Sequence, residues 1–164
     1  MAKLSLNKHF IRDSLDVLKT RGLKALIFGT IAIKTVDEHM TIQEIANIFQ
    51  KTKAYGAKTG SLTKLDPVHK GIGNVYLVPN GSTTKLVFTD ETKITNGPDL
   101  WVYLSESKDP KNNLGSYVDL GLIKGNKGGQ IYVIEKPISK LADYCSVIIY
   151  CKQFEVLFTY ALLK

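Results

Sequence analysis

Short apolar runs separated by glycines dominate residues 56–164 and limit what this chain can fold into. The runs have the length of strands and are rich in β-branched and aromatic residues, which suit a pleated, half-buried surface. Turn residues divide them at intervals typical of sandwiches and barrels, and no helical pattern of comparable strength interrupts them. We therefore predict a mainly β domain, an antiparallel β-sandwich or flattened barrel, built from the runs NVYLV, TKLVF, LWVYL, IYVI, SVIIYC and FEVLFTYALL.

The first 55 residues have the pattern of a short helical extension. Apolar residues at helical spacing predict an amphipathic helix from about Leu6 to Thr20. Thr41 and Glu44 have the spacing of a capping box, which predicts a second helix from Ile42 to about Lys51. The segment between the two is compatible with helix or strand. The expected organisation is a helical extension, residues 1–55, followed by the β domain, residues 56–164.

The net charge of +7 is spread along the chain. Residues 1–50 hold seven basic and five acidic side chains, and the remaining residues hold fifteen and ten. We find no run of five or six like charges and no basic helix, whereas proteins that bind nucleic acid usually concentrate their lysines on one face. The pattern therefore argues against specific nucleic-acid binding.

The longest apolar run, Ala25–Ile33, is nine residues long. A membrane-spanning helix needs about 20 apolar residues, so no transmembrane helix is predicted. As a secretory signal the run lacks a small-residue cleavage site, and the region before it contains Asp13 and Asp16. A core strand or helix is the favoured interpretation, and no clear signal peptide is predicted.

The segment from Leu100 to Leu104 predicts a strand that is apolar on both faces. Alternation places three aliphatic side chains on one face and Trp101 and Tyr103 on the other. The Asn-Gly-Pro-Asp before it is a turn, in which glycine permits a positive φ and proline presets φ. We expect such a strand at the centre of a sheet, with Trp101 covered by the N-terminal helices, a second chain or a ligand.

Four blocks resemble, in order, those of the DM-thirteen domain: TGSLTKLDPVHKGIGNVYLV, TKLVFTDETKITNGPDLWVYLS, YVDLGLIKGNKGGQIYVI and LADYCSVIIYCKQFEVLFTYALL. The resemblance runs from about Thr59 to Leu163. It implies a compact β domain, usually extracytoplasmic or in the cell envelope, with a redox or electron-transfer role proposed around one cysteine. The matching position here is Cys151, and His69 resembles the early histidine of the family.

Cys145 and Cys151 lie on one predicted strand. Six extended residues span about 20 Å, whereas bridged Cα atoms lie about 4.4–6.8 Å apart, so no disulfide joins the two. Equal parity places both on the more apolar face, where each is expected to be a small buried hydrophobe. A reactive thiolate would need a nearby cation or metal. Lys152 should point to the opposite face, so His69 is the favoured partner of Cys151.

No pattern predicts a metal site, a haem site or a catalytic centre. The three histidines lie in different segments, no Cys-x-x-Cys occurs, and both methionines lie outside the β domain. The glycine clusters GIGNVY and GNKGGQ lack the pattern of phosphate loops and are interpreted as hairpins. Asp99 is interpreted as a turn cap, with calcium binding as the alternative. No cofactor is predicted, and hydrolase or transferase activity is not expected.

These patterns favour a non-catalytic binding or accessory redox module, with Cys151 and His69 as its candidate redox residues. The first alternative is a sandwich that binds a sugar or another envelope component. The second alternative is a structural module that self-associates through its N-terminal helices. In each case the partner is an unidentified protein or small molecule. The candidate ligand-binding residues are Trp101, Tyr103, Tyr150 and Asp99.

Overall fold

The computed structural model describes Glu38 and residues 40–164. The predicted helix at Leu6–Thr20 and the apolar run Ala25–Ile33 lie outside the described residues. Short 3-10 turns occur at Lys53–Tyr55 and Ile138–Leu141. The other elements of the described part are helix α1 (Ile42–Thr52) and strands β1 (Lys58–Ser61), β2 (Gly71–Ile72), β3 (Asn74–Asn80), β4 (Thr83–Phe88), β5 (Lys93–Ile94), β6 (Leu100–Ser105), β7 (Tyr117–Leu122), β8 (Gln130–Ile134), β9 (Ser146–Cys151) and β10 (Val156–Leu162).

Helix α1 begins at the predicted capping box. The Thr41 hydroxyl accepts a hydrogen bond from the Glu44 amide at 3.2 Å, and the Glu44 carboxylate accepts one from the Thr41 amide at 2.8 Å. Both amides lie at the helix start, where backbone donors have no partner within the helix. The helix runs to Thr52, so the predicted second helix is confirmed.

The strands form two four-stranded antiparallel sheets and a small two-stranded one. The first sheet has the order β1-β3-β4-β8, the second has the order β10-β9-β6-β7, and β2 pairs with β5. Strand β6 lies between β9 and β7, as predicted for a strand that is apolar on both faces. The hairpin interpretation of the two glycine clusters is wrong, because β2 and β3, and likewise β7 and β8, belong to different sheets.

The two larger sheets pack face to face around one apolar core. Each fully buried aliphatic or aromatic side chain stabilises the fold by about 1.5–3 kcal/mol relative to an exposed one. The predicted β-sandwich is therefore confirmed, and the strand order of the described residues is that of separate sheets instead of a closed barrel. The core side chains include Val75, Leu77, Leu86 and Phe88 from the first sheet and Val102, Leu104, Val147 and Ile149 from the second.

Strands β1 and β10 join the two sheets along one edge. Thr59 donates to the Lys164 carbonyl at 3.0 Å, and Lys164 donates to the Thr59 carbonyl at 2.9 Å. Gly60 lies at the closest approach, where a Cβ atom would collide with the carbonyl of Leu162. A glycine is therefore required here by space.

Helix α1 covers the outer face of the first sheet. Ile45 is 3% exposed and packs with Val78 and Val87, and the Phe49 ring meets Tyr76 edge-on at 5.5 Å. The Trp101 face belongs to the second sheet, on the other side of the sandwich. Of the predicted covers for Trp101, helix α1 is therefore not the one.

Candidate functional site

The outer face of the second sheet carries aromatic side chains. Val102 and Leu104 of β6 point into the core, so their neighbours in the strand point outward. Cross-strand pairing with β9 and β7 brings two further tyrosines to the same side. We call this set the aromatic face; its members are Trp101, Tyr103, Tyr117 and Tyr150.

The three tyrosine rings of the aromatic face are in contact and lead from a buried position to solvent. Tyr103 stacks on Tyr117 with 4.2 Å between ring centroids and 17° between planes, and Tyr150 lies 6.0 Å from Tyr103. The separation of Tyr150 from Tyr103 is typical of favourable aromatic pairs, and the stack of Tyr103 on Tyr117 is closer still. Tyr103 is 1% exposed, whereas Tyr117 is 46% exposed, and Trp101 and Tyr150 are half-buried. Tyr103 therefore lies beneath the surface and does not offer its ring to a ligand.

The aromatic face keeps its two inner phenols in the neutral form. Burial raises the pKa of Tyr103 well above its ordinary value, and the nearby Tyr117 and Asp119 raise it further. Burial likewise raises the pKa of Tyr150, with a smaller contribution from Glu155. The charged phenolate is disfavoured in both cases because burial removes it from water.

Lys152 spans the aromatic face from the end of β9. Its Nζ lies 3.2 Å from the centroid of the Trp101 ring and 5.7 Å from that of Tyr103. The same nitrogen is 2.8 Å from Asp119 Oδ2 on β7, so Lys152 reaches across β6 to the far side of that strand. Lys152 therefore points away from Cys151, as the alternation predicted, and makes a cation–π contact with the indole.

Asp99 binds the indole of Trp101 from the turn before β6. Trp101 Nε1 donates to Asp99 Oδ1 at 2.7 Å, and the Asp99 carbonyl accepts from the Lys152 amide at 3.0 Å. Asp99 thus acts as an anchor for two residues of the site, whereas the sequence indicated a cap for the local backbone. The structure places it beside Trp101, with its carboxylate at the edge of the aromatic face.

Gly97, in the same turn, is required for a different reason from the predicted one. Its φ is not among the positive values found at other glycines of the described part. A Cβ atom there would lie 2.6 Å from Leu100 Cδ2 and 2.7 Å from Phe158 Cζ. Close packing of the turn on the core, and not backbone conformation, therefore requires a glycine at this position.

Cys151 is enclosed in the hydrophobic core. The residue is 0% exposed and pairs across the sheet with Leu100 and Val156. Both cysteines are free thiols, which confirms that no bridge joins them. The expected burial of Cys145 is wrong: this residue precedes β9, which begins at Ser146, and is half-buried.

His69 lies in a polar turn and is not hydrogen-bonded to Cys151. Its Nδ1 is 2.7 Å from Asp66 Oδ2, and its ring meets Phe158 edge-on at 4.8 Å. Hydrogen bonds from His69 and the Val68 amide lower the pKa of Asp66 to about 2. Among the described residues, no group of three or more histidine, cysteine or acidic side chains is placed to hold a metal ion.

The structure brings together Trp101, Tyr103, Tyr150 and Asp99, whereas His69 contacts Asp66 and Phe158. Three residues of the site were not predicted, namely Tyr117, Asp119 and Lys152. Alternation after Cys151 places Lys152 on the outer face, so the sequence held a signal for it. Tyr117 and Asp119 reach the site only through the pairing of β7 with β6, which the sequence does not specify.

A family model described as electron transfer DM13 matches residues 61–163, which is more than half of the chain. No curated protein and no solved structure matches the chain. No helix in the described residues is long and apolar enough to cross a membrane. The family match covers every strand from β2 to β10, and the chain belongs to the electron transfer DM13 family.

Proposed function

We propose that this chain is a non-catalytic accessory redox module that passes electrons through its aromatic face. The family suggests a redox-related role. The observation that carries the proposal is the stack of Tyr103 on Tyr117, which joins a buried phenol to an exposed one at 4.2 Å. Oxidation of Tyr117 gives one electron to a partner's one-electron acceptor and the phenolic proton to solvent water, and reduction reverses both.

The aromatic face has the properties that such a path needs. Tyr117, 46% exposed, provides the point at which a partner meets the module. Tyr103, enclosed and with a raised pKa, is a neutral phenol near pH 7 and is shielded from solvent. Offset stacked rings hold their π-systems in van der Waals contact, which couples them electronically. In this proposal the module needs no bound cofactor.

Cys151, which the resemblance matches to the cysteine of the family, stays a candidate redox residue, but the proposed electron path does not pass through it. Its thiol is surrounded by apolar side chains, which disfavour the reactive thiolate. Its neighbour in β9, Tyr150, belongs to the aromatic face and points to the opposite side of the sheet. His69 binds Asp66 and Phe158 instead, and the proposal gives it no redox role.

A flash-photolysis experiment tests the electron path. A photogenerated ruthenium(III) complex in solution oxidises the protein by one electron, and transient absorption records tryptophanyl and tyrosyl radicals. In the wild-type protein we expect a tryptophanyl signal that decays as a tyrosyl signal rises. In Tyr103→Phe the tryptophanyl signal should persist longer, because phenylalanine is not oxidised under these conditions.

Tyr55→Phe is the matched control for this experiment. Tyr55 is 73% exposed and lies in the 3-10 turn after α1, so its replacement should leave the kinetics of the wild-type protein unchanged. The proposal fails if Tyr103→Phe and Tyr55→Phe behave alike. It also fails if tyrosyl radicals form on tyrosines outside the aromatic face.

The exposure of Tyr117 and the half-burial of Trp101 favour a second candidate function, the binding of a neutral sugar on the aromatic face. Asp119 is paired with Lys152, and Asp99 with the indole, so the face offers apolar rings without unpaired charge among these groups. Trp101 is the single tryptophan of the chain. Titration with neutral oligosaccharides should shift its fluorescence, less so in Tyr117→Ala; an unchanged spectrum contradicts this candidate.

A further inference from the structure

We infer that Trp101 and Asp99 form a proton-coupled redox site. In this site the indole gives one electron to an outer-sphere one-electron oxidant and its Nε1 proton to the Asp99 carboxylate. The inference rests on the proposed function in taking the partner to be a one-electron acceptor. It adds Trp101 as a second residue at which the aromatic face can be oxidised, and it names the group that receives its proton.

The hydrogen bond between the two side chains is aligned for this transfer. Trp101 Nε1 lies 2.7 Å from Asp99 Oδ1, a distance typical of a bond strengthened by a charged acceptor. Asp99 follows Pro98, whose ring fixes φ, and the Asp99 carbonyl is held by the Lys152 amide at 3.0 Å. The carboxylate is therefore held in place before any oxidation occurs.

Lys152 makes loss of the proton necessary. An ammonium 3.2 Å from the ring centroid is attracted to the electron-rich face of the neutral indole. Removal of one electron without the proton would leave a cationic ring against that ammonium, and two like charges at this separation repel each other. Asp119 holds the ammonium at 2.8 Å, which restrains its withdrawal.

The step is balanced in charge and atoms. Before it, the indole is neutral and Asp99 is a carboxylate; afterwards the indole is a neutral radical, Asp99 is a carboxylic acid, and the oxidant holds one more electron. The N–H bond of the indole breaks and an O–H bond forms on Asp99. Reduction by the next donor returns the electron to the ring and the proton to Nε1.

Tyr103 connects this site to the remainder of the aromatic face. It lies two residues beyond Trp101 on β6 and points to the same side. Lys152 Nζ, which lies over the indole, is also 5.7 Å from the Tyr103 ring. An electron taken from Trp101 can therefore be replaced through Tyr103 by the exposed Tyr117, whose phenolic proton passes to solvent water, while the proton on Asp99 returns to Nε1.

The test is a solvent isotope effect on oxidation of Trp101 by photogenerated ruthenium(III), followed by transient absorption. The neutral indolyl radical and the radical cation have distinct visible spectra. In the wild-type protein we expect the neutral radical, formed more slowly in D2O than in H2O. Asp99→Asn keeps an oxygen that accepts the hydrogen bond but cannot take the proton. We expect it to slow oxidation by about 100-fold and to remove the isotope effect.

Two further variants complete the design. Asp90→Asn is the matched control, because Asp90 is an exposed carboxylate in the turn after β4, and it should behave as the wild-type protein does. Lys152→Gln removes the ammonium from the ring face, so oxidation should become faster and part of the product should be the radical cation. If Asp99→Asn fails to fold, the solvent isotope effect of the wild-type protein and the oxidation rate of Lys152→Gln still test the inference.

The inference is overturned if wild-type oxidation shows no isotope effect, if Asp99→Asn matches the wild-type protein, or if Lys152→Gln is oxidised no faster. These results are distinct from failure of the proposed function. If tyrosyl radicals form on the aromatic face without an isotope effect, the proton transfer to Asp99 is contradicted and the electron path is supported. If an isotope effect is seen without any tyrosyl signal, the proton transfer is supported and the electron path is contradicted.

Discussion

Tyr103 shows how far the sequence predicts a single residue. Alternation along β6 places it on the same face as Trp101, and the structure agrees. Its 1% exposure was not predictable, because the covering ring comes from Tyr117, fourteen residues later and on another strand. The face of a side chain follows from local pattern, whereas its accessibility follows from pairing between distant segments.

Replacement of Tyr103 by phenylalanine should change how stability depends on pH. The folded state raises the pKa of Tyr103 above the ordinary value of 10.0, so the phenol ionises more readily in the unfolded chain. The contribution of Tyr103 to the free energy of unfolding is therefore constant below pH 10. Above pH 10 the free energy of unfolding falls, because the unfolded chain ionises and the folded protein does not. Tyr103→Phe should reduce this fall, as measured by urea unfolding between neutral and alkaline pH.

The control for this prediction is Tyr55→Phe, which removes a largely exposed phenol. Its free energy of unfolding should have the same pH dependence as that of the wild-type protein. Identical alkaline slopes for wild type and Tyr103→Phe would show that the phenol titrates alike in both states.

The two thiols should differ in reactivity in the native protein. Cys145 is half-buried and Cys151 is fully enclosed, so a thiol reagent should modify Cys145 first and Cys151 only on unfolding. Mass spectrometry of timed samples measures both rates, and Cys145→Ser should leave no fast-reacting thiol. Rapid native modification of Cys151 would contradict its enclosure and would favour the redox role of this cysteine that the family resemblance implies.

The helices and strands that the sequence predicts are those with a pattern within their own few residues. The capping box of α1 specifies its first turn, and the apolar runs specify six of the strands. Strands β2 and β5 have two residues each, too few for any alternation, and β1 has the sequence KTGS, without a large apolar side chain. The hairpin interpretations failed because a glycine-rich connection has the same composition within a sheet and between two sheets.

Docking of α1 on the first sheet should depend on Ile45. This side chain is 3% exposed, and Ile45→Ala should lower the free energy of unfolding by about 2–5 kcal/mol, through lost burial and a residual cavity. Ile42, in the same helix, is 70% exposed, and Ile42→Ala should change it by less than about 0.5 kcal/mol. Guanidinium unfolding of both variants makes the comparison; equal effects would contradict the docking.

Self-association through the N-terminal helices stays a prediction. Ile42 of α1 is 70% exposed and Ala46 is exposed as well, so both are open to a partner chain. Ile45, Ile48 and Phe49 of the same helix pack on the first sheet. A second copy would therefore have to bind α1 through its exposed edge.

For the whole molecule, the sequence predicted the architecture better than the site. Strands that are apolar on one face pack as two sheets with those faces inward, and this holds whatever the order in which the strands pair. The aromatic face depends instead on the register of β7 and β9 against β6, which brings Asp119 and Tyr150 to either side of β6. The family resemblance drew attention to Cys151, which faces the core. The exposed aromatic rings and the charged Lys152 and Asp119 lie on the opposite face of the same sheet.

The central claim is that the aromatic face, and not the buried thiol, holds the unpaired electron after one-electron oxidation. Freeze-quench electron paramagnetic resonance after photo-oxidation tests it most directly, with ring-deuterated tyrosine to identify tyrosyl radicals. We predict a tyrosyl signal that is unchanged in Cys151→Ala and strongly reduced in Tyr103→Phe/Tyr117→Phe. A signal that is lost in Cys151→Ala and retained in the double variant would contradict the account.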